Sequence, residues 1–269
     1  MLTIYSPSNK KSKAWEVFDG VVKSWPDQTT ILDNAKESDP VDNAMFWGFV
    51  NNNLPMVKKL EERKHKFWFT DTPYFGRFDN HNLQPDNHYW RICRNGIHAE
   101  YIKMCKSDRF DKFKIKIKAP DFKGSYVLVC PSSPSIHQYL GKPNWTADTV
   151  EQIKRYTDRP IKIREKPRGR GTSGPSEAKV PLSEDLKDAW VVVTSCSIAA
   201  VEAQCMGVPV ICDEKSFAKE VGGQELADIE NPYFVGCEDW LFSLAYQQFT
   251  PEEIANGKAV EILMDKGLL

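Results

Sequence analysis

The sequence lacks the short motifs that mark several large enzyme classes. No Gly-x4-Gly-Lys-Ser/Thr motif is present, and no Gly-x-Gly-x-x-Gly follows the first predicted strand. Both motifs build phosphate-binding loops, so these absences argue against an ATPase and against a dinucleotide-dependent oxidoreductase. The sequence also has no apolar run of transmembrane length and no secretory signal, so we expect a cytoplasmic protein with no membrane partner.

Cysteine pairs at metal-binding spacing are also missing. The seven cysteines are odd in number and scattered, and no Cys-x-x-Cys occurs. This distribution indicates neither a zinc site nor a disulfide framework. The one group of metal-binding side chains close in sequence has a spacing that supports no metal site, so we predict none. Its members are Asp79, His81, Asp86 and His88.

Net charge is low as well. The formal charge is −1 over 269 residues, so overall charge indicates no particular class of partner. Hydrophobic residues make up 41% of the chain and aromatic residues 12%, which is typical of a globular protein and argues against disorder. The length allows one large core or two medium ones.

Residues 191–212, VVVTSCSIAAVEAQCMGVPVIC, are the most informative part of the chain. An apolar β-branched run ends in a small polar loop, and an Ala-rich helical segment follows until Gly207 and Pro209 end it. This order predicts a strand–helix–strand unit of the parallel α/β kind. The loop places hydroxyls and N–H groups at a helix N-terminus, which favours a phosphate. In the alternative interpretation, Glu202 is a solvated helix residue and Gly207 only caps the helix.

The run Ser197-x4-Glu202-Ala203-x3-Gly207-x-Pro209-Val210 resembles the donor-nucleotide motif of GT-B glycosyltransferases. The resemblance implies an α/β, GT-B-like fold in which two Rossmann-like domains face a cleft. It also implies a nucleotide-sugar co-substrate, for which we expect a UDP-sugar, and no tightly bound cofactor. By the same resemblance, Ser197 lies near the donor diphosphate and Glu202 binds the nucleotide ribose.

We therefore predict three segments. Residues 1–118 form a Rossmann-like acceptor domain, residues 119–250 form a Rossmann-like donor domain, and residues 251–269 form a helix that packs back toward the first domain. Strands are predicted at 2–5, 29–32, 44–50, 66–70, 112–118, 126–130, 160–165, 191–193 and 208–212. Helices are predicted at 14–25, 55–64, 146–156, 183–187, 240–248 and 251–264, and a long functional loop at 74–94.

Candidate donor-binding residues follow the predicted strands of the second half. In open α/β sheets, ligands bind outside the carboxyl ends of the strands. The candidates are Ser132 and Ser133 after the first strand, Arg164 and Lys166 at the second, and Ser195, Cys196 and Ser197 after the third. The cations would neutralise a diphosphate leaving group, although a basic loop can also be merely solvated. Cys196 has no evident His partner, so we favour a packing role for it over that of a nucleophile.

Transfer to a hydroxyl needs a base, which the resemblance places in the N-terminal domain. Asp71 directly follows the strand predicted at 66–70, so it is the first candidate, and Asp19 and His98 are next. Alternatively, Asp71 forms only a turn beside Pro73. Three arginines flank the same region and are candidates for binding a phosphate of the acceptor. They are Arg77, Arg91 and Arg94.

Residues 97–118 are basic, with seven Lys or Arg against three acidic residues. The alternation KFKIKIK at 112–118 predicts an exposed strand with one charged face, although lysines also protect ordinary sheet edges. The chain is similar to small bacteriophage glycosyltransferases, some of which modify hydroxymethylated bases in DNA. That resemblance implies a hydroxymethylated pyrimidine in double-stranded DNA as the acceptor, in the cytoplasm of a bacterial host. Phosphate contacts would then fall to Lys112, Lys114 and Lys116.

Two other interpretations stay open. One is a GT-B-fold transferase or epimerase of surface-glycan metabolism, against which a basic, DNA-sized cleft would argue. The other is a non-catalytic nucleotide- or nucleic-acid-binding module. The absence of any carboxylate or histidine near the donor phosphate would favour that module.

Overall fold

The computed structural model describes residues 1–76, 88–165 and 180–269. The chain forms two compact units. Unit 1 consists of Met1–Phe113 with Phe242–Leu269, and unit 2 consists of Lys114–Leu241. The domain boundaries predicted after residues 118 and 250 stay predictions, and the compact units divide the chain after residues 113 and 241.

The described residues contain ten strands and ten α-helices. The strands are Leu2–Ser6 (β1), Thr29–Asp33 (β2), Ala44–Trp47 (β3), Phe67–Asp71 (β4), Trp90–Arg94 (β5), Tyr126–Val129 (β6), Ile161–Ile163 (β7), Ala189–Thr194 (β8), Val210–Cys212 (β9) and Gln248–Phe249 (β10). The helices are Ala14–Ser24 (α1), Asn53–Arg63 (α2), Asp108–Asp111 (α3), Pro134–Tyr139 (α4), Trp145–Ile153 (α5), Leu182–Leu186 (α6), Ala199–Cys205 (α7), Glu238–Ala245 (α8), Pro251–Ala255 (α9) and Lys258–Asp265 (α10).

Unit 1 is built on a six-stranded sheet in the order β10-β5-β4-β3-β1-β2. Strands β1 to β4 pair in parallel, while β5 is antiparallel to both β4 and β10. Helix α1 buries Phe18 and Val21 because its apolar residues recur three or four positions apart. The C-terminal segment belongs to the same unit, since the Ser24 hydroxyl of α1 donates to the Ile254 carbonyl of α9 at 2.6 Å.

Unit 2 is built on a parallel sheet in the order β7-β6-β8-β9. Its strands are rich in Val and Ile, as expected for strands covered on both faces. Val129 near the end of β6 pairs with Val193 near the end of β8. The loops that follow these two strands therefore start from the same edge of the sheet. Below, this carboxyl edge of the unit 2 sheet is called the β6–β8 edge.

The segment 112–118 differs from its prediction as a strand. Lys112 caps α3, and residues 114–118 lie outside both sheets. Alternating polarity makes a strand only where a neighbouring strand takes up the backbone hydrogen bonds. Lys114 also has a φ of 52°, which interrupts an extended run. Conversely, β5 lies inside the region predicted as a long functional loop, and β10 begins at the last residue of the predicted helix 240–248.

The α/β class predicted from the sequence is confirmed by these two sheets with parallel strands. All seven cysteines lie within the described ranges, where they are buried and form no disulfide. Across the described ranges, we find no helix that is both long and apolar enough to cross a membrane.

Candidate functional site

Three predicted donor residues meet at the β6–β8 edge. The buried Ser195 hydroxyl donates to the Ser132 hydroxyl oxygen at 2.7 Å. The same oxygen accepts the backbone N–H of Cys196 at 3.1 Å. One hydroxyl thus joins the loop after β6 to the loop after β8, and the two loops are held in one arrangement.

His137 belongs to this network, although the sequence analysis did not select it. It lies in α4, which begins directly after Ser133, and its Nε2 is 3.1 Å from the Ser195 hydroxyl oxygen. The Trp145 ring stacks on its imidazole with ring centroids 5.3 Å apart. Burial lowers the pKa of His137, and the carboxylate of Asp213 partly opposes this shift. The neutral imidazole is therefore favoured near neutral pH. Pro134 at the start of a helix was the available sequence signal for α4.

Two backbone N–H groups of the loop before α7 were predicted to be open to a ligand, but they donate to hydroxyls of the same loop. The N–H of Ser197 donates to the Thr194 hydroxyl oxygen at 3.1 Å, and the N–H of Ala199 donates to the Ser197 hydroxyl oxygen at 3.3 Å. Thr194 in turn donates to the Cys130 carbonyl at 2.7 Å. A short polar loop satisfies its own donors when its hydroxyls lie this close. The half-buried hydroxyls of Ser133 and Ser197 remain the predicted phosphate contacts at this edge.

Arg164 forms an ion pair within unit 2, and its role at the donor phosphate stays a prediction. Its guanidinium forms an ion pair with the buried carboxylate of Asp185 in α6 and donates to the Val180 carbonyl at 2.8 Å. Burial alone would raise the pKa of Asp185, but hydrogen bonds from Lys162 and Arg164 outweigh burial and lower it. A buried carboxylate needs such cations, so Arg164 serves the fold here. Lys166 lies outside the described residues.

Glu202 and Gly207, the two markers of the donor motif, have different surroundings. Glu202 is exposed on α7, and its role at the ribose stays a prediction. Gly207 follows α7 with a φ of 75°, and a Cβ there would lie 2.2 Å from the Ala119 carbonyl oxygen. Only glycine fits this position without strain, so the backbone geometry explains Gly207 without a role in ligand binding.

A cavity of about 490 Å³ opens in unit 2 beside the ends of β8 and β9. Its walls include the indole of Trp145, the carboxylates of Asp148, Asp213 and Glu225, and the amide of Gln224. Asp213 accepts the Trp145 indole N–H at 2.9 Å and pairs with Lys142. Aromatic surface with a few carboxylate and amide groups suits a ligand rich in hydroxyl or amino groups better than a phosphate.

In unit 1, Asp71 is tied to an arginine. It ends β4, and one carboxylate oxygen accepts the Thr72 N–H at 2.7 Å while the other lies 3.1 Å from Arg91. The Arg91 guanidinium is 2% exposed and also donates to the Thr72 carbonyl at 3.1 Å. Arg91 therefore has Asp71 as its counter-charge, and its role at an acceptor phosphate stays a prediction.

Arg94 and the two alternative bases have other surroundings. Arg94 pairs with Glu100 at 3.0 Å and donates to the carbonyls of Gly267 and Leu268 at 2.9 and 3.0 Å, so it secures the C-terminal segment rather than an acceptor. Arg77 lies outside the described residues. Asp19 is exposed on α1. The Nδ1 of half-buried His98 is 3.3 Å from the hydroxyl of Tyr74.

The predicted DNA-contacting lysines are exposed. Lys112 belongs to unit 1 and lies 3.8 Å from Glu253, while Lys114 and Lys116 belong to unit 2. Among the residues that the structure describes, no three His, Cys, Asp or Glu side chains come close enough to hold a metal ion. Asp79, His81 and Asp86 lie outside the described ranges.

Comparison with known proteins gives matches of structure only. No protein-family model and no curated protein matches the chain. Among solved structures, KpsC β-Kdo 2,4-transferase of Thermosulfurimonas dismutans is similar with a TM-score of 0.50 and 10% identity, over 98% of each chain. The β-Kdo 2,7-transferase of the same KpsC gives a TM-score of 0.46 and 10% identity, over 97% of this chain and 99% of that one. At 10% identity the likeness to the β-Kdo 2,4-transferase concerns the fold alone, and it confirms the predicted GT-B-like α/β fold with two Rossmann-like units.

Proposed function

We propose that the chain is a glycosyltransferase that moves a sugar from a nucleotide-sugar to a hydroxyl acceptor. The observation that carries the proposal is the β6–β8 edge, where Ser132, Ser195 and Cys196 join directly before the Ser197…Glu202…Gly207 motif. Ligands of open α/β sheets bind at this kind of edge. The fold shared with a β-Kdo transferase over nearly the whole chain supports the same activity.

The donor diphosphate is proposed to bind at the β6–β8 edge, with Ser133 and Ser197 as hydroxyl contacts. For the nucleoside, two places are available. The resemblance to the donor motif favours the exposed Glu202 on α7, while the cavity beside Trp145 and Asp213 offers a preformed volume of about 490 Å³. A UDP-sugar remains our prediction for the donor.

Calorimetry of nucleotide-sugar binding tests the donor site and separates these two places. If the ribose binds at Glu202, Glu202→Ala weakens binding, and Gln224→Trp, which enlarges a side chain that lines the cavity, does not. If the nucleoside enters the cavity, the two results are reversed. Glu220→Ala is the matched control, because Glu220 is exposed in unit 2, does not line the cavity and lies outside the donor motif. Undiminished binding in both test variants, or no binding by the wild-type chain, would contradict the donor site.

Two acceptor classes follow from different observations. The exposed lysines of residues 112–116 support the predicted hydroxymethylated DNA. The β-Kdo transferase likeness supports a glycan acceptor, as in surface-glycan metabolism. For DNA, affinity should fall steeply with salt, and replacing Lys112, Lys114 and Lys116 together by Gln should reduce that salt dependence while donor binding is unchanged. A flat response to salt would exclude DNA and leave the glycan.

A further inference from the structure

The hydrogen bonds that join His137 to Ser132 run in one direction. The Ser195 hydroxyl has a single hydrogen, which it donates to the Ser132 hydroxyl oxygen at 2.7 Å. The Ser195 oxygen is therefore the acceptor in its contact with Nε2 of His137 at 3.1 Å. Nε2 must carry the hydrogen in that contact, which leaves the lone pair of the neutral imidazole on Nδ1. The imidazolium also carries a hydrogen on Nε2, so the direction is the same in both charge states.

The surroundings of His137 fix the start of this chain of hydrogen bonds. His137 is buried, and the Trp145 ring stacks on its imidazole with centroids 5.3 Å apart. The backbone is held as well, since the His137 N–H donates to the Ser133 carbonyl at 3.1 Å and the His137 carbonyl accepts the Lys142 N–H at 2.8 Å. A donor of fixed orientation therefore faces Ser195.

Ser132, at the other end of the chain of hydrogen bonds, keeps one donor unused. Its oxygen accepts the Ser195 hydroxyl and the Cys196 N–H, and these two bonds occupy both of its lone pairs. Only its own hydrogen remains, and in the described parts of the protein no acceptor for that hydrogen is present. Ser132 is 7% exposed. Buried donors rarely lack partners in native proteins, so an unused hydrogen on so buried a side chain indicates a ligand contact.

We infer that Ser132 donates this hydrogen to a phosphate oxygen of the nucleotide-sugar and that His137, acting through Ser195, is the positioning residue that directs it. The inference rests on the proposed function, because it names a contact that the donor makes at the β6–β8 edge. The ligand atom here must accept a hydrogen bond, and an anionic phosphate oxygen does so more strongly than a neutral oxygen. The hydrogen bonds behind Ser132 strengthen this contact, since each bond that a hydroxyl accepts polarises its own O–H.

The Ser132 contact differs from those proposed for Ser133 and Ser197. Hydrogen bonds from two neighbours orient the Ser132 hydroxyl before any ligand binds. The Ser133 side chain makes no capping hydrogen bond, and the Ser197 hydroxyl accepts the N–H of Ala199 at 3.3 Å. Donors that are oriented in advance lose less entropy on binding and stabilise a charged ligand more strongly. Ser132 is therefore expected to contribute more phosphate affinity than either of the other two serines.

The tautomer of His137 tests the direction of the hydrogen bonds without any substitution. Nitrogen–proton correlation spectra of the assigned wild-type chain, recorded above neutral pH, show which ring nitrogen carries the hydrogen. The hydrogen is expected on Nε2, with a bare Nδ1. A hydrogen on Nδ1 with a bare Nε2 would mean that Ser195 donates to His137, and it would overturn the inference.

Calorimetry with UDP and uridine as probes tests the contact itself. Ser132→Ala should weaken UDP binding by ~10–100-fold, because it removes a hydrogen bond to a charged group, and should leave uridine binding unchanged. Ser195→Ala keeps the Ser132 hydroxyl but removes its orientation, so UDP affinity should fall by less and uridine affinity not at all. Ser125→Ala is the matched control, since Ser125 is exposed at the opposite end of β6 and its hydroxyl donates to Asp188 at 2.6 Å. This control should bind UDP as the wild type does.

If Ser132→Ala does not fold, Ser195→Ala and the wild-type tautomer still decide the question. Undiminished UDP affinity in either variant, or equal losses of UDP and uridine affinity in Ser132→Ala, would overturn the inference alone. A wild-type chain that binds neither UDP nor inorganic pyrophosphate would overturn the proposed donor site and the inference together.

Discussion

Single buried polar residues determine the geometry of the β6–β8 edge. Ser132 accepts two hydrogen bonds there, and His137 contacts the hydroxyl that provides one of them. Such groups are costly to leave without partners, so a network of this kind holds one conformation of the loops. Under the proposed function, this network would place the Ser133 and Ser197 hydroxyls for a donor phosphate.

Ser132→Ala should disturb that edge. The change leaves the Ser195 hydroxyl and the Cys196 N–H without their acceptor, so we expect the free energy of unfolding to fall by about 1–3 kcal/mol. Affinity for a nucleoside diphosphate should fall more than affinity for the nucleoside alone. Urea denaturation and calorimetry measure the two effects. Ser133→Ala is the control for stability, since the Ser133 side chain makes no capping hydrogen bond to α4. Equal stability of the two variants would refute the role of Ser132.

Asp71→Asn should act on stability rather than on chemistry. It removes the negative charge that faces the buried Arg91, for a loss of about 1–3 kcal/mol in the free energy of unfolding. The rate per folded molecule should fall by well under ~10²-fold, because the Asp71 carboxylate is already paired with Arg91. Asp19→Asn, an exposed change, should alter stability by less than about 0.5 kcal/mol. A large loss of rate at unchanged stability would instead support Asp71 as the general base.

At the scale of elements, a buried arginine ties α3 to α9. Arg109 in α3 is buried and makes a two-pronged ion pair with Glu253 of α9, with both distances 2.9 Å. It also donates to the carbonyls of Ala245 and Gln248 at 3.0 and 2.7 Å. Burial would raise the pKa of Glu253, but the bonds from Arg109 outweigh it and hold the pKa below its ordinary value.

Arg109→Met should therefore destabilise the protein strongly. It leaves the Glu253 carboxylate buried without its main partner, which typically costs about 3–5 kcal/mol in the free energy of unfolding. Lys112→Met removes a second cation near the same carboxylate, but Lys112 is exposed and its effect should stay below about 1 kcal/mol. Chemical denaturation of both variants at neutral pH gives the comparison. Similar losses of unfolding free energy in the two variants would contradict the role of Arg109 in joining α3 to α9.

The turn between α7 and β9 depends on Gly207. Gly207→Ala forces an alanine into a left-handed φ and brings its Cβ into the Ala119 carbonyl. We therefore expect the free energy of unfolding to fall by more than the ~1–3 kcal/mol that the backbone strain alone costs. Gly141→Ala is the matched control, because Gly141 has a φ of 73° with nothing near its Cβ position. Thermal unfolding should separate the two variants. A Gly207→Ala change as mild as Gly141→Ala would contradict the close approach.

The elements that the sequence predicts well are those whose pattern is local. The period of α1 and the apolar runs of β1, β4 and β8 carry their own signal, and these elements lie within a residue or two of the predictions. Strand β10 could not be predicted, because it has two residues and exists only through pairing with β5. The lysine-rich residues 112–118 show the opposite, because they have the sequence pattern of a strand but no neighbouring strand to pair with.

At the scale of the whole molecule, the sequence indicates which edges carry polar groups but not which groups neutralise one another. Ser132 and Ser195 were predicted at one edge, and the structure joins them. Arg164 pairs with Asp185, and Asp71 pairs with Arg91. The sequence does not show these pairings, so Arg164 and Asp71 were predicted to contact ligands only because each lies at the end of a strand. His137 and Ser195 are 58 positions apart by number, and only the fold brings them within 3.1 Å.

The most direct test of the account is a transfer assay read by mass spectrometry. The chain is incubated with a panel of nucleotide-sugars, one at a time, together with hydroxymethylated DNA or with an oligosaccharide acceptor, and the masses of the acceptors are measured. The account predicts that one acceptor gains the mass of one sugar residue as the matching free nucleotide appears. No mass gain with any donor, in a sample that is folded by circular dichroism, would contradict the proposal that this chain transfers sugars.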